Sequence, residues 1–166
     1  MIVWRLAKPD LALKLDGETS RAEGGRWHSP GRGVVTTARA LSTLVLETMA
    51  MLPGNLRFDL PLLAAVALEI SDETSIRRVT RDELGESPGP SELRRRAIGD
   101  AWLKDGIIPV LEVPSDMVPQ DTLILLDPLH EAFGRNQIRV VAVEPFALQP
   151  QLYVKSKAPL LPRPPR

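Results

Sequence analysis

The chain has 166 residues and carries 21 basic and 21 acidic side chains, so its formal charge is zero. Direct nucleic-acid binders usually show a basic excess or a basic stripe, and the balance here argues against one. With no cysteine and only two histidines, His28 and His130, disulfides, thiolate chemistry and a zinc site are not expected.

In chain order, Ile2 to Leu6 reads as a short strand, and Asp16 to Gly33 as a long polar loop with turn signals at Gly24-Gly25 and Pro30-Gly31. The β-branched run Val34-Val35-Thr36-Thr37 predicts a strand. Arg39 to Leu52 predicts a helix closed by Pro53-Gly54, and strands follow at Ala64 to Ile70 and Ile76 to Val79. Ser91 can cap a helix running to Asp105 and ended by Gly106. Within it, the run Arg94-Arg95-Arg96 reads first as a solvated face and second as a phosphate or partner patch. Three more strands are expected at Ile107 to Val113, Thr122 to Leu126 and Gln137 to Val143, and a Lys/Pro-rich tail from Lys155 is expected to be disordered or extended. The pattern predicts one mixed α+β domain over residues 1–154 with two main helices. Its apolar runs fall well short of the roughly 20 residues of a membrane span. The first residues lack a basic segment leading into a long apolar one, so a soluble cytoplasmic protein without a membrane partner is expected.

Three places are chemically loaded. Arg26 lies in Gly24-Gly25-Arg26-Trp27, where glycines let a ligand diphosphate approach a forked guanidinium; the plain alternative is a surface arginine beside a buried tryptophan. Glu47 is the one charged residue between Ala40 and Leu56, at the margin of a helical face formed by Leu41, Leu44, Val45, Thr48 and Leu52. Both faces of that helix are apolar, which predicts a helix covered on most sides. A carboxylate there is either salt-bridged for structure or placed for function. Ser115 follows Val113-Pro114 at a strand end, where it can cap a turn or donate to a ligand oxygen. No G-x-S-x-G, Walker A or Rossmann fingerprint is present. His130 reads as a turn residue, and Trp27 and Trp102 as core or loop anchors, with base stacking by Trp27 the alternative.

Taken together, Gly24-Gly25-Arg26-Trp27-His28, Leu44-Val45-Leu46-Glu47, Ile98-Gly99-Asp100-Ala101-Trp102, Val113-Pro114-Ser115 and Asp127-Pro128-Leu129-His130 stand in one order along the chain. That ordered set resembles the RES-domain family, named for an arginine, a glutamate and a serine. The resemblance implies an ADP-ribosyltransferase-like mixed β core with a few helices. It also implies a bacterial toxin that consumes NAD as substrate without a metal, paired with an Xre-type helix-turn-helix antitoxin, with a homodimer as a further expectation. By the same resemblance Glu47, Arg26 and Ser115 are the catalytic residues. Arg26 and Ser115 would also contact NAD, with Arg5, Trp27 and Thr36 as further NAD-binding candidates. The reaction expected is cleavage of the nicotinamide–ribose bond as a glycohydrolase or phosphorylase. The alternatives are transfer of ADP-ribose to a protein and a catalytically weak module that binds its antitoxin.

The chain also departs from the family pattern. Thr36 stands where a tyrosine is usual, and threonine cannot stack on nicotinamide. His28 and Asp127 replace usual asparagines, and Gln149 and Gln151 lie where Asp and Arg are common, whereas Pro145-Phe146 matches.

Overall fold

The computed structural model describes residues 1–51, 62–85 and 92–149. It runs β1 (Ile2–Ala7), a 3-10 turn (Pro9–Leu11), α1 (Glu18–Glu23), β2 (Val35–Ala38), α2 (Leu41–Met51), β3 (Leu63–Ile70) and β4 (Ile76–Arg78). Then come α3 (Arg81–Leu84), α4 (Glu92–Asp105), β5 (Val110–Pro114), β6 (Thr122–Leu126), α5 (Glu131–Gly134) and β7 (Ile138–Phe146). The strands form one mixed sheet in the order β4-β5-β6-β2-β1-β3-β7. Only β4 and β5 run parallel; every other pair is antiparallel. This is the expected α+β class, with α2 and α4 as the two longest helices.

Because strand side chains alternate between faces, the sheet builds two cores. Val3, Val35, Val66, Val110, Ile124 and Leu126 pack on one face. Trp27, Ala38, Leu44, Trp102, Leu111, Val113, Leu123 and Leu125 pack on the other, with Trp4 and Leu6 against them. β3 reads as a nearly continuous apolar run because β1 and β7 flank it and both its faces are covered.

Several elements differ from expectation for local reasons. The polar loop at 16–33 contains α1, entered through Gly17 at φ 67° and held by Ser20, whose hydroxyl accepts from the Val34 amide at 2.8 Å. The fifth strand begins at Val110 rather than Ile107; Pro109 has no N–H, and its carbonyl accepts from the Asp127 amide instead. β7 runs on to Phe146 through Pro145, which an edge strand tolerates. α3 follows a capping box, Thr80 with Glu83, and the His130 side chain accepts from the Ala132 amide to cap α5. Pro53-Gly54, Ser91, Gln151 and the tail from Lys155 lie outside the described residues.

α2 corrects one expectation outright. Its buried residues are Thr43, Leu44 and Glu47, so the glutamate lies within the inward stripe and not at its margin. The outer face is uncovered by the described residues: Leu46 is 44 % and Met51 70 % exposed. The lone carboxylate is buried because partners wait for it on the loop after β5.

Candidate functional site

Each of the three loaded residues is carried by a different support. Arg26 sits in the loop between α1 and β2, entered by Gly24 at φ 73°, a left-handed conformation that favours glycine. α4 presses on that loop. A methyl group at Gly99 would lie 1.6 Å from the Trp27 carbonyl oxygen, so only glycine allows the approach. The next residue, Asp100, accepts from the Ser29 amide and hydroxyl at 2.8 and 2.7 Å, and the Arg96 Nε donates to the Gly25 carbonyl at 3.0 Å. The Gly-Asp pair of α4 is thus a clamp on the arginine loop.

Glu47 comes from α2 and is 8 % exposed; Ser115 follows β5 and is 4 % exposed. The Ser115 hydroxyl donates to Glu47 Oε1 at 2.7 Å, and the amides of Asp116 and Met117 point at the same oxygen from 3.2 and 3.4 Å. Ser115 Oγ also accepts from the amides of Met117 and Val118 at 3.2 and 3.0 Å. The serine thus caps its turn, as one of the two expectations had it, while its hydroxyl proton goes to Glu47 rather than to a ligand oxygen. No histidine is in contact with it, and its proton is directed at Glu47, so the pair reads as a serine that orients a carboxylate. The loop behind it is fixed by Asp121, which accepts from the Thr43 hydroxyl of α2 and from the Thr122 amide, the latter at 2.9 Å.

Arg26 completes the group. Its Nη1 lies 3.6 Å from Glu47 Oε2 and 2.7 Å from Asp116 Oδ2. Oε1 of the glutamate is thus held by three donors, while Oε2 remains on the side of the guanidinium. A cavity of about 150 Å³ opens beside them, with Arg26, Trp27, Thr36, Glu47, Leu123 and Leu125 among its walls. It takes a planar ring more readily than a whole dinucleotide, since pockets for drug-sized ligands run to roughly 300–1,000 Å³.

Arg26, Glu47, Ser115, Trp27 and Thr36 are therefore brought together, and Arg5 is not. Arg5 pairs in register with Val66, whereas Thr36 pairs with Leu125, which places the two on opposite faces of the sheet. Arg5 Nη1 donates to the carbonyls of Leu11 and Lys14 at 3.4 and 2.6 Å. The family resemblance makes it a candidate, and strand alternation turns it away from the other residues.

His28 and His130 serve the scaffold. His28 is buried beside the cavity, and its Nε2 donates to the Ser20 carbonyl at 3.3 Å; burial holds its pKa below the ordinary 6.5. His130 Nδ1 accepts from the Ala132 amide, so its Nε2 carries the proton and donates to the Ile107 carbonyl at 3.2 Å. Asp127 is buried, pairs with Arg32 at 3.0 Å and caps the Leu129 amide. Trp102 is a core anchor whose indole donates to the Ile108 carbonyl at 2.5 Å.

Sequence reading missed Asp116, and it took Arg95 only as part of one run, a solvated face first and a phosphate or partner patch second. Consecutive helical residues point about 100° apart, so the arginine run divides three ways rather than forming one solvated face. Arg94 donates to the Glu83 carbonyl, Arg95 pairs with Asp116 at 2.9 Å, and Arg96 holds the Gly25 carbonyl. The signal available was the adjacency of Asp116 to Ser115. Among the described residues no group of three or more His, Asp or Glu side chains is placed to hold a metal ion.

Known proteins resemble the chain in sequence and in fold. The sequence pattern of the RES domain family matches residues 2–149. A protein named Toxin Res from Photorhabdus laumondii is 31 % identical over 163 residues, covering 95 % of this chain and 99 % of that protein. Toxin Res of Yersinia enterocolitica is 28 % identical, covering 92 % and 99 %. A Prs ADP-ribosylating toxin from a Sphingobium species is 30 % identical, covering 76 % and 82 %. In structure, a chain of the M. tuberculosis MbcT–MbcA toxin–antitoxin complex superposes with a TM-score of 0.68 at 16 % identity, covering 92 % of this chain and 86 % of that one; at that identity the likeness concerns the fold.

Proposed function

The chain belongs to the RES domain family, and on that premise we propose that it is the toxin of a toxin–antitoxin pair and cleaves the nicotinamide–ribose bond of NAD. The observation that carries this is the meeting of Arg26 with a Glu47 held by Ser115, the arginine and the glutamate both lining one apolar cavity. The relatives named as toxins, from several bacteria, support the biological role.

The chemistry follows from the charges. Nicotinamide in NAD is already a cationic leaving group, so a strong general acid is not required. The barrier lies in the oxocarbenium-like ribose, as in glycoside hydrolysis. A carboxylate held beside the anomeric carbon stabilises that developing positive charge, and its rigidity matters as much as its sign. Ser115 and two loop amides hold Glu47 Oε1, so Oε2 is the oxygen offered to a ribose hydroxyl and to the cation. Arg26 grips the diphosphate with a forked guanidinium and fixes the ribose within reach. The apolar walls of Trp27, Leu123 and Leu125 exclude water from the ring side. Thr36 stands on the same wall without an aromatic face, so ring packing falls to those neighbours.

NAD consumption by the purified chain, with and without phosphate and beside Glu47→Gln, tests the reading. Turnover is expected to fall by about 10²–10³-fold in the variant while the fold survives. Equal turnover by variant and wild type would overturn the role of Glu47. Phosphate dependence would identify phosphate as acceptor, and water serves otherwise. The name of the Sphingobium relative favours a second reading, transfer of ADP-ribose to a protein, from the same site. A helix-turn-helix antitoxin of the Xre type is the proposed partner, in the cytoplasm where NAD is consumed, and the toxin–antitoxin complex of the structural neighbour supports a protein partner.

A further inference from the structure

Between the cavity at Glu47 and a second groove lies one carboxylate gripped by two arginines. Asp116 Oδ2 is 2.7 Å from Arg26 Nη1, and its Oδ1 is 2.9 Å from Arg95 Nη2. The groove beyond it, about 250 Å³, is lined by Arg81, Arg95, Ser115, Asp116 and Pro119 among others. Two guanidiniums, each on a separate oxygen of one anion, are also how a phosphate is held. We propose that Asp116 is an internal stand-in for a ligand phosphate. A diphosphate displaces its side chain, after which Arg26 and Arg95 clamp the phosphates together. The assignment rests on the NAD-binding reading above and adds Arg95 as a second binding residue and Asp116 as an internal competitor.

Three observations support it. The Arg95 side chain is only 17 % exposed, yet its buried Nε has no hydrogen-bond partner among the described residues. A guanidinium withdrawn from water normally satisfies its donors, so Arg95 keeps one donor that its ion pair with Asp116 does not use. The Asp116 backbone is fixed through its amide to Glu47, but its carboxylate is held by the two arginines, so a rotation of the side chain releases both cations without moving the glutamate. Finally, the cavity at Glu47 is too small for a whole dinucleotide, and the Arg26–Asp116–Arg95 bridge links a wall residue of that cavity to two residues lining the second groove.

Calorimetric titration of the full chain with ADP tests this independently of catalysis. Asp116→Asn is expected to tighten ADP by about threefold or more, since it removes the competing charge and keeps the shape. Arg95→Gln is expected to weaken ADP by about tenfold, with an unchanged melting temperature. Should Asp116→Asn fail to fold, Arg95→Gln alone decides the matter. Weaker ADP binding by a folded Asp116→Asn would show a bridge that positions Arg26 and would overturn the proposal. An unchanged affinity in Arg95→Gln would overturn it as well, as would a wild-type chain that binds no ADP. NAD turnover that persists beside such a result would leave the Glu47 chemistry standing and remove only this assignment. A chain that binds ADP as expected but turns over no NAD would do the reverse.

Discussion

Arg5 and Arg26 lie 21 positions apart in sequence, on opposite faces of one sheet, and they spend their guanidiniums differently. Arg5 donates to two backbone carbonyls of the turn after β1. Arg26 faces two carboxylates, Asp116 and Glu47. Backbone carbonyls have no other place to go, so Arg5 is a strut that ties residues 11–14 to the sheet. The Asp116 carboxylate can rotate away and an incoming anion can take its place, while Glu47 stays held by Ser115 and two amides, so Arg26 is left available. The difference teaches that the partner of a half-buried arginine, and not its nearness to a motif, separates scaffold from site.

The comparison is broken most sharply by a pair of variants. Arg26→Lys keeps the charge but loses the fork, and should lower kcat/KM for NAD by about 10–100-fold with little change in melting temperature. Arg5→Gln should do the opposite: it leaves KM alone and costs about 1–2 kcal/mol of stability, or about 3–6 °C in melting temperature. If Arg5→Gln depressed turnover as strongly as Arg26→Lys, the distinction between the two arginines would collapse.

Gly99→Ala sharpens the same contrast from the side of α4. Its methyl group meets the Trp27 backbone, so the helix or the Arg26 loop must move, at a cost of about 1–3 kcal/mol. Differential scanning calorimetry should record the lost stability, and steady-state kinetics a lowered kcat/KM, because the displaced loop carries Arg26. A variant with reduced stability and intact kinetics would show that the loop tolerates the shift.

The smallest effect concerns His28. Burial lowers its pKa in the folded chain, so below about 6.5 the unfolded chain binds a proton that the folded chain resists. The histidine's contribution is therefore complete above that pH and is lost as pH falls through it. Urea midpoints at pH 7.5 and 5.5 should differ less for His28→Gln than for the wild type. Equal slopes would mean that His28 titrates alike in both states.

Much of this molecule was legible in one dimension, because strands and long helices declare themselves through local pattern. The β-branched run at β2, the uniform apolar run at β3 and the isolation of Glu47 in α2 all reflect forces acting over a few residues. The short helices were less legible: α1 hides in a polar loop because its stability comes from Ser20 reaching Val34, a contact that no window of periodicity contains. The Thr80–Glu83 capping box was readable and passed over.

The mixed α+β class and the family were legible in the sequence, and the ordered motifs of the family nominated Arg26, Glu47 and Ser115 as candidate site residues. Only the tertiary structure decided that Arg5 faces away, that Glu47 lies within the buried stripe of α2, and that Asp116 sits between Arg26 and Arg95. The physical reason is one of range. Residue type and periodicity record what a segment can form, whereas an ion pair such as Arg26–Asp116, 90 residues apart, records which segments the sheet order and α4 bring together.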